Sequence, residues 1–264
     1  MKTNSWISGL CALLILIGIS SSSLAAPTPQ AESLFQQGND LYGQGKYREA
    51  LQIYTGIATR EGVSAALLYN IGNSYAQTGQ TGQAILNYRR ALRLSPADSD
   101  SKGNLDLLER NAGLFEQDTS WPRAAALLDL DQWCLLGGFS LAVLTLAALA
   151  GLRLQNGRQI GRGISAACLL LILFAAAGIA ARYRQLDEAV VPGSDARLLL
   201  SPFPAASPIG TIREGQTVYY RSQHGAYALV EDETGRSGWI AIGDIGLVQG
   251  TASVLYQAER SSSR

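Results

Sequence analysis

Two uncharged runs in the middle of the chain constrain everything on either side of them. Gln132 to Leu152 holds 21 residues without Asp, Glu, Lys or Arg, and Gly163 to Ala181 holds 19. At about 1.5 Å of rise per residue, either run crosses a hydrocarbon layer roughly 30 Å thick as a helix. A helix in the core of a soluble protein is rarely apolar on every side over such a length. Both runs are therefore expected to be transmembrane helices, 132–152 and 163–181, joined by a loop at 153–162. That loop carries Arg153, Arg158 and Arg162 and no acid, while Asp129 and Asp131 precede the first run. Basic residues beside membrane segments stay in the cytoplasm, which puts the loop inside and both flanking segments outside, against the weaker opposing signal of Arg182 and Arg184.

The beginning of the chain gives the same orientation. Lys2, an apolar stretch from Trp6 to Ile19 and small residues up to Ala25 read as a secretory signal peptide at 1–25. The exported segments are mildly acidic: residues 26–120 hold 8 Lys or Arg against 10 Asp or Glu, and residues 185–264 hold 6 against 9. A nucleic-acid partner would need basic charge on a soluble face, so none is expected. Cys11 lies in the leader, and Cys134 and Cys168 lie in the apolar runs, so the exported segments have neither a disulfide framework nor a Cys-based metal site. His224 is the sole histidine, which leaves no His-based metal site and no second histidine for a relay; it reads as a turn residue. The stretch Gly38 to Tyr47 is not a phosphate loop, because Asp40 stands where a glycine is needed and Tyr47 where Ser or Thr is needed. No enzyme, metal or cofactor is expected.

From Ala31 the sequence repeats itself every 34 residues. Gly38, Asn39, Gly45, Ala50 and Tyr54 recur as Gly72, Asn73, Gly79, Ala84 and Tyr88. Period and phase resemble the tetratricopeptide repeat, a helix-turn-helix unit. Two repeats, 31–64 and 65–98, are expected, with SDSKGNLDLLERN as a capping helix that completes a solenoid over 31–112. The first helix of each repeat should line a concave face that carries Phe35, Asn39, Tyr42, Tyr69, Asn70, Asn73 and Gln77. Some relatives combine Asn with Lys there to clamp a terminal carboxylate, but Phe35 stands where that Lys belongs, so a groove for a partner's peptide is expected. Arg89 and Arg93 should face outward on the convex side. An interfacial linker at 113–131 follows, with Trp121 and Trp133 expected at headgroup level.

After the second apolar run the pattern turns to strands. Runs at 190, 197, 217, 226 and 238 are β-branched or aromatic and broken by Pro192, Gly193, Gly215, Gly225 and Gly235, with a hairpin turn expected at Asp232 to Gly235. Residues 187–250 should form a small all-β barrel, and the late Gly238-Trp239 pair after a hairpin resembles bacterial SH3-type domains. Tyr219, Tyr220, Tyr227 and Trp239 are its candidate binding surface. The tail 251–264 reads as disordered.

Signal peptide, tetratricopeptide units, two-helix membrane hairpin and SH3-type domain, in that order, resemble the BatE-like proteins of bacterial aerotolerance (Bat) operons. The resemblance implies a multidomain protein of the inner membrane with both soluble domains in the periplasm. Its implied partners are von Willebrand factor A-domain membrane proteins, other tetratricopeptide proteins of a Bat-type complex and a MoxR-type ATPase. A non-catalytic scaffold is the expected function. The alternative is a protein that binds peptidoglycan peptides through the SH3-like domain.

Overall fold

The computed structural model describes residues 28–114, 128, 130–153, 158–184 and 187–249. The expected signal peptide, most of the linker at 113–131, the middle of the loop between the apolar runs and the tail lie outside these residues.

Five helices come first: α1 (Pro29–Gly43), α2 (Tyr47–Glu61), α3 (Ala65–Gln77), α4 (Thr81–Leu94) and α5 (Ser99–Asn111). Thr28 Oγ1 and Ser64 Oγ accept from the amides of Ala31 and Leu67 at 3.1 and 3.2 Å, satisfying donors that a first helical turn leaves open. Gly45 and Gly79 follow the ends of α1 and α3 with φ of +76° and +77°, a conformation that costs little only without a Cβ. In each repeat a tyrosine of the second helix lies across a glycine of the first. A Cβ on Gly38 would come within 2.5 Å of the Tyr54 ring, and one on Gly72 within 2.8 Å of Tyr88. These contacts, with Ala50, Ile57, Leu68, Ile71 and Ala91, make the helical core.

Two long helices follow, α6 (Leu130–Arg153) and α7 (Arg158–Arg184). Each contains a 19-residue stretch apolar enough to cross a membrane, Asp131–Leu149 and Gly163–Ala181. Leu135, Phe139, Leu146, Leu170 and Leu173 are exposed on them, which a soluble helix pair would not tolerate over such an area. Together the two helices give the chain a membrane association. Near the start of α6, Trp133 turns inward against α7: it is 1% exposed, lies over Gly178 and meets Phe174 edge-on at 5.1 Å. Gly178 has no side chain to oppose the ring, and that decides the direction. Arg158 to Arg162, expected in the loop, continue α7.

The remainder is an antiparallel sheet of β1 (Glu188–Val190), β2 (Ala196–Leu199), β3 (Pro208–Ile212), β4 (Thr217–His224), β5 (Tyr227–Asp232), β6 (Ser237–Ala241) and β7 (Gly246–Leu247). Its order is β3-β2-β6-β5-β4-β1-β7. The turn from β5 to β6 forms because Asp232 Oδ1 accepts from the amides of Thr234 and Arg236, both at 2.9 Å, while Gly235 takes φ +84°. Burial raises the Asp232 pKa, but these bonds and the Arg236 guanidinium outweigh it and hold the carboxyl below its usual range. The expected barrel closure is not seen: among the described residues the sheet has two ends, β3 and β7. The reason is local. β3 begins at Pro208, which has no amide to donate, and the β7 carbonyl of Leu247 is taken at 3.0 Å by Arg90 Nε of α4.

That last bond belongs to a continuous seam between repeats and sheet. Ile85, Leu86, Tyr88 and Leu105 pack with Val190 and Val248, and Leu86 presses on Gly246. Arg89 bridges Glu109 of α5 at 2.6 Å and Glu188 of β1 at 2.5 Å. Glu214 Oε1 accepts from the Gly82 amide at the start of α4 at 2.8 Å, where an acid offsets the helix dipole. Arg89 and Arg93, expected to face outward, are thus turned into the seam, Arg93 reaching Gln249 at 3.4 Å. The sheet domain covers the side of α4 that a free solenoid would leave in water.

Candidate functional site

The face formed by α1, α3 and α5 carries a polar ladder that repeats with the sequence. In the first rung Asn39 Oδ1 accepts from Tyr54 Oη at 2.8 Å and from Asn70 Nδ2 at 3.0 Å. In the second, Asn73 Oδ1 accepts from Tyr88 Oη at 2.6 Å and from Asn104 Nδ2 at 3.0 Å. Each member lies 34 residues from its counterpart, so one repeat hands its asparagine to the next. Burial raises the pKa of both phenols, that of Tyr54 to about 12 and that of Tyr88 further, because the phenolate would lose its water.

Around the ladder stand the aromatic members. Phe35 tilts against Tyr54 at 5.9 Å and Tyr69 against Tyr88 at 6.0 Å. Tyr42 meets Tyr47 edge-on at 5.0 Å. Burial, with Tyr47 beside it, raises the pKa of Tyr42. Gln77 borders a shallow depression beside the first repeat's turn, Gly45 to Glu49. All seven expected residues therefore share one face, six half-buried and Gln77 exposed. The asparagines are less available than their types suggest, since their side chains already bind the ladder. Asn104 completes the second rung and was not among the expected site residues. Its signal was in the sequence, 34 positions after Asn70.

The four residues expected on the sheet do not form one surface. Tyr220 packs on the sheet core, and Tyr219 lies under the Arg221 guanidinium at 5.9 Å. Tyr227 stands opposite His224 at the tip of the β4–β5 hairpin. Trp239 instead meets His224 at 6.3 Å, and His224 meets Phe203 at 6.5 Å. Neither Phe203 nor His224 was an expected binding residue; a loop phenylalanine and a turn histidine carry no periodicity that would reveal them.

Residues 65–98 match the tetratricopeptide repeat family, whose repeats are generally non-catalytic scaffolds for protein–protein interaction. The chain is also 33% identical over 102 residues to the rhomboid protease GluP of Bacillus subtilis (strain 168), covering 39% of this chain and 20% of that protein. It thus spans about a fifth of the length of that curated relative.

Proposed function

We propose that this protein is a non-catalytic, membrane-anchored scaffold that holds a partner's peptide segment in the concave groove of its repeats. One observation carries the reading: the chain's own sheet occupies the outer side of α4, while the first-helix face keeps its aromatic and amide side chains half open. Aromatic side chains beside amides make effective binding centres. Proteolysis, named for the Bacillus relative, stays with that protein, because the shared 102 residues are 20% of it.

The test uses residues outside the ladder. Tyr42→Ala with Gln77→Ala should lower recovery of membrane partners from solubilised membranes, whereas Gln52→Ala with Arg60→Ala on exposed positions of α2 should not. Equal recovery from both pairs would move the binding site away from the groove.

The order of elements further supports a place in a Bat-type complex, with von Willebrand factor A-domain proteins and other tetratricopeptide proteins as partners. Arg153, Arg158 and Arg162 support an inner-membrane hairpin with the loop inside and both soluble parts in the periplasm. A reporter active only in the cytoplasm should work when fused after Arg158 and fail after Val248. The sheet is read as an SH3-type domain on its late Gly238-Trp239 pair. A second reading, binding of peptidoglycan peptides by that domain, is favoured by half-exposed Tyr227 and Trp239, and a pull-down with purified cell wall tests it.

A further inference from the structure

The sheet domain has two unlike ends. At one, the turn from β3 to β4 is taken by the repeats: Glu214 caps α4, and a Cβ on Gly215 would collide with Ile85 and Leu114. The other is the tip of the β4–β5 hairpin, which the register directs back past the start of β1, the end at which the chain enters the sheet. α7 ends at Arg184 and β1 begins at Glu188, so the tether is short. β1 is antiparallel to β4, with Glu188 opposite Tyr219 and Val190 opposite Thr217. From Tyr219 onward, β4 therefore runs back past the start of β1. Asp187, in the tether, lies 3.8 Å from Arg221 and marks that course. The five steps from Tyr219 to His224 advance about 17 Å at the usual rise of a strand.

What stands at this tip is apolar and aromatic. Phe203, His224 and Trp239 meet edge to face, and the Ile242 backbone N–H donates to the Ala226 carbonyl in the hairpin turn at 2.9 Å. Phe203 is 58% exposed and Ile242 40%, and Leu200 and Ile209 are the other large apolar side chains of the sheet domain that are exposed among the described residues. Arg221, the charge nearest the tip on β4, is paired with Glu231 at 3.0 Å. Uncharged aromatic rings at the edge of a hydrocarbon layer suit the headgroup region, where one side of a ring is dry and the other wet.

We propose that this aromatic end of the sheet domain rests in the lipid headgroup layer, so that the hairpin tip, Phe203 and Trp239 form a second membrane contact beside α6 and α7. This rests on the reading that those two helices cross the bilayer. The contact fixes the sheet upright on the membrane and, through the seam at α4, fixes the direction in which the repeat groove points.

The test is lipid quenching of a fluorophore on the full chain, with Cys11, Cys134 and Cys168 replaced by Ser and one new cysteine at a time: Leu146→Cys on α6, Ala226→Cys at the tip, or Thr234→Cys in the turn at the sheet's other end. Each is reconstituted in vesicles of phosphatidylcholine and phosphatidylglycerol, with and without bromine near the headgroup end of the acyl chains. The fluorophore at 226 should lose about half its intensity in brominated vesicles, as expected of a group at the interface, while that at 234 stays unchanged. The fluorophore at 146 should be quenched whatever the sheet does. Adding Phe203→Glu, a change at an exposed loop position, should restore the signal at 226. Quenching at 146 without quenching at 226 overturns the docking, leaves the membrane reading standing and assigns the patch to a protein or cell-wall peptide. No quenching at 146 overturns both. Quenching at 226 that equals that at 234, or that survives Phe203→Glu, also overturns the proposal.

Discussion

Helices α2 and α4 occupy the same place in successive repeats, and they end in opposite surroundings. Both bury an alanine completely, Ala50 and Ala84, and both lay a tyrosine over a glycine of the preceding helix. Their outer sides differ. Gln52 of α2 is exposed, and its counterpart Leu86 is buried against Gly246 of the sheet. Thr55 turns its hydroxyl back to the Leu51 carbonyl of its own helix at 2.8 Å, whereas its counterpart Arg89 joins two acids on two other elements. The inner contacts of a repeat are thus set by its motif, while the outer side is free to be recruited. In the second repeat the chain recruits its own sheet, and long arginine stems suit that use, because they bury along their length and still bring a charged head to acceptors.

The sharpest way to break this contrast is to remove the central arginine. Arg89→Ala leaves Glu109 and Glu188 mostly buried without it and should destabilise the full chain by about 3–5 kcal/mol, while Thr55→Ala should stay within about 0.5 kcal/mol. Denaturant unfolding of the detergent-solubilised protein measures both, and similar losses would mean the seam is not where the asymmetry lies. Exchanging the counterparts comes next. Leu86→Gln should cost roughly 2–4 kcal/mol, as a buried apolar contact gives way to an amide without a planned partner, and Gln52→Leu should be close to neutral. For the motif itself the repeats should agree: Gly38→Ala and Gly72→Ala each push a tyrosine ring aside at about 1–3 kcal/mol. A gap between them larger than that range would show the sheet propping up the second repeat. The smallest effect is alkaline. An unfolded tyrosine ionises near pH 10, and the folded protein holds the Tyr54 proton to about 12. The stability this provides is complete below pH 10 and is lost as the pH rises through 12. Phenolate absorbance from Tyr54 or Tyr88 should therefore appear together with loss of helix signal, and a phenolate forming near pH 10 in intact helices would contradict the buried ladder.

Much of this was legible in the residues. The period of 34 located the helices, the recurring glycines and tyrosines and the first-helix positions of the seven expected residues. It located them because a repeat meets itself with the same side chains each time. Other features escaped. The β3 strand contains Pro208 and Gly210, both poor strand signals, and is formed because β2 offers it a partner. The packing of Trp133 escaped as well, since only the bare backbone of Gly178 opposite it lets the indole turn inward.

The sequence by itself determined the local elements: two helices long and apolar enough for a membrane, helix pairs with their caps and turns, and strands bounded by glycine and proline. These depend on neighbours along the chain, within one helical turn, one hairpin or one repeat. Tertiary structure alone decided that the outer side of α4 is covered by the sheet, that Arg90 rather than β3 meets the carbonyl of β7, and that Phe203, His224 and Trp239 meet at one tip. Each of those joins residues far apart in the chain, Arg90 with Leu247 and Phe203 with Trp239. No periodicity links such pairs; they come together only when whole elements pack and the surface left over has to find a neighbour.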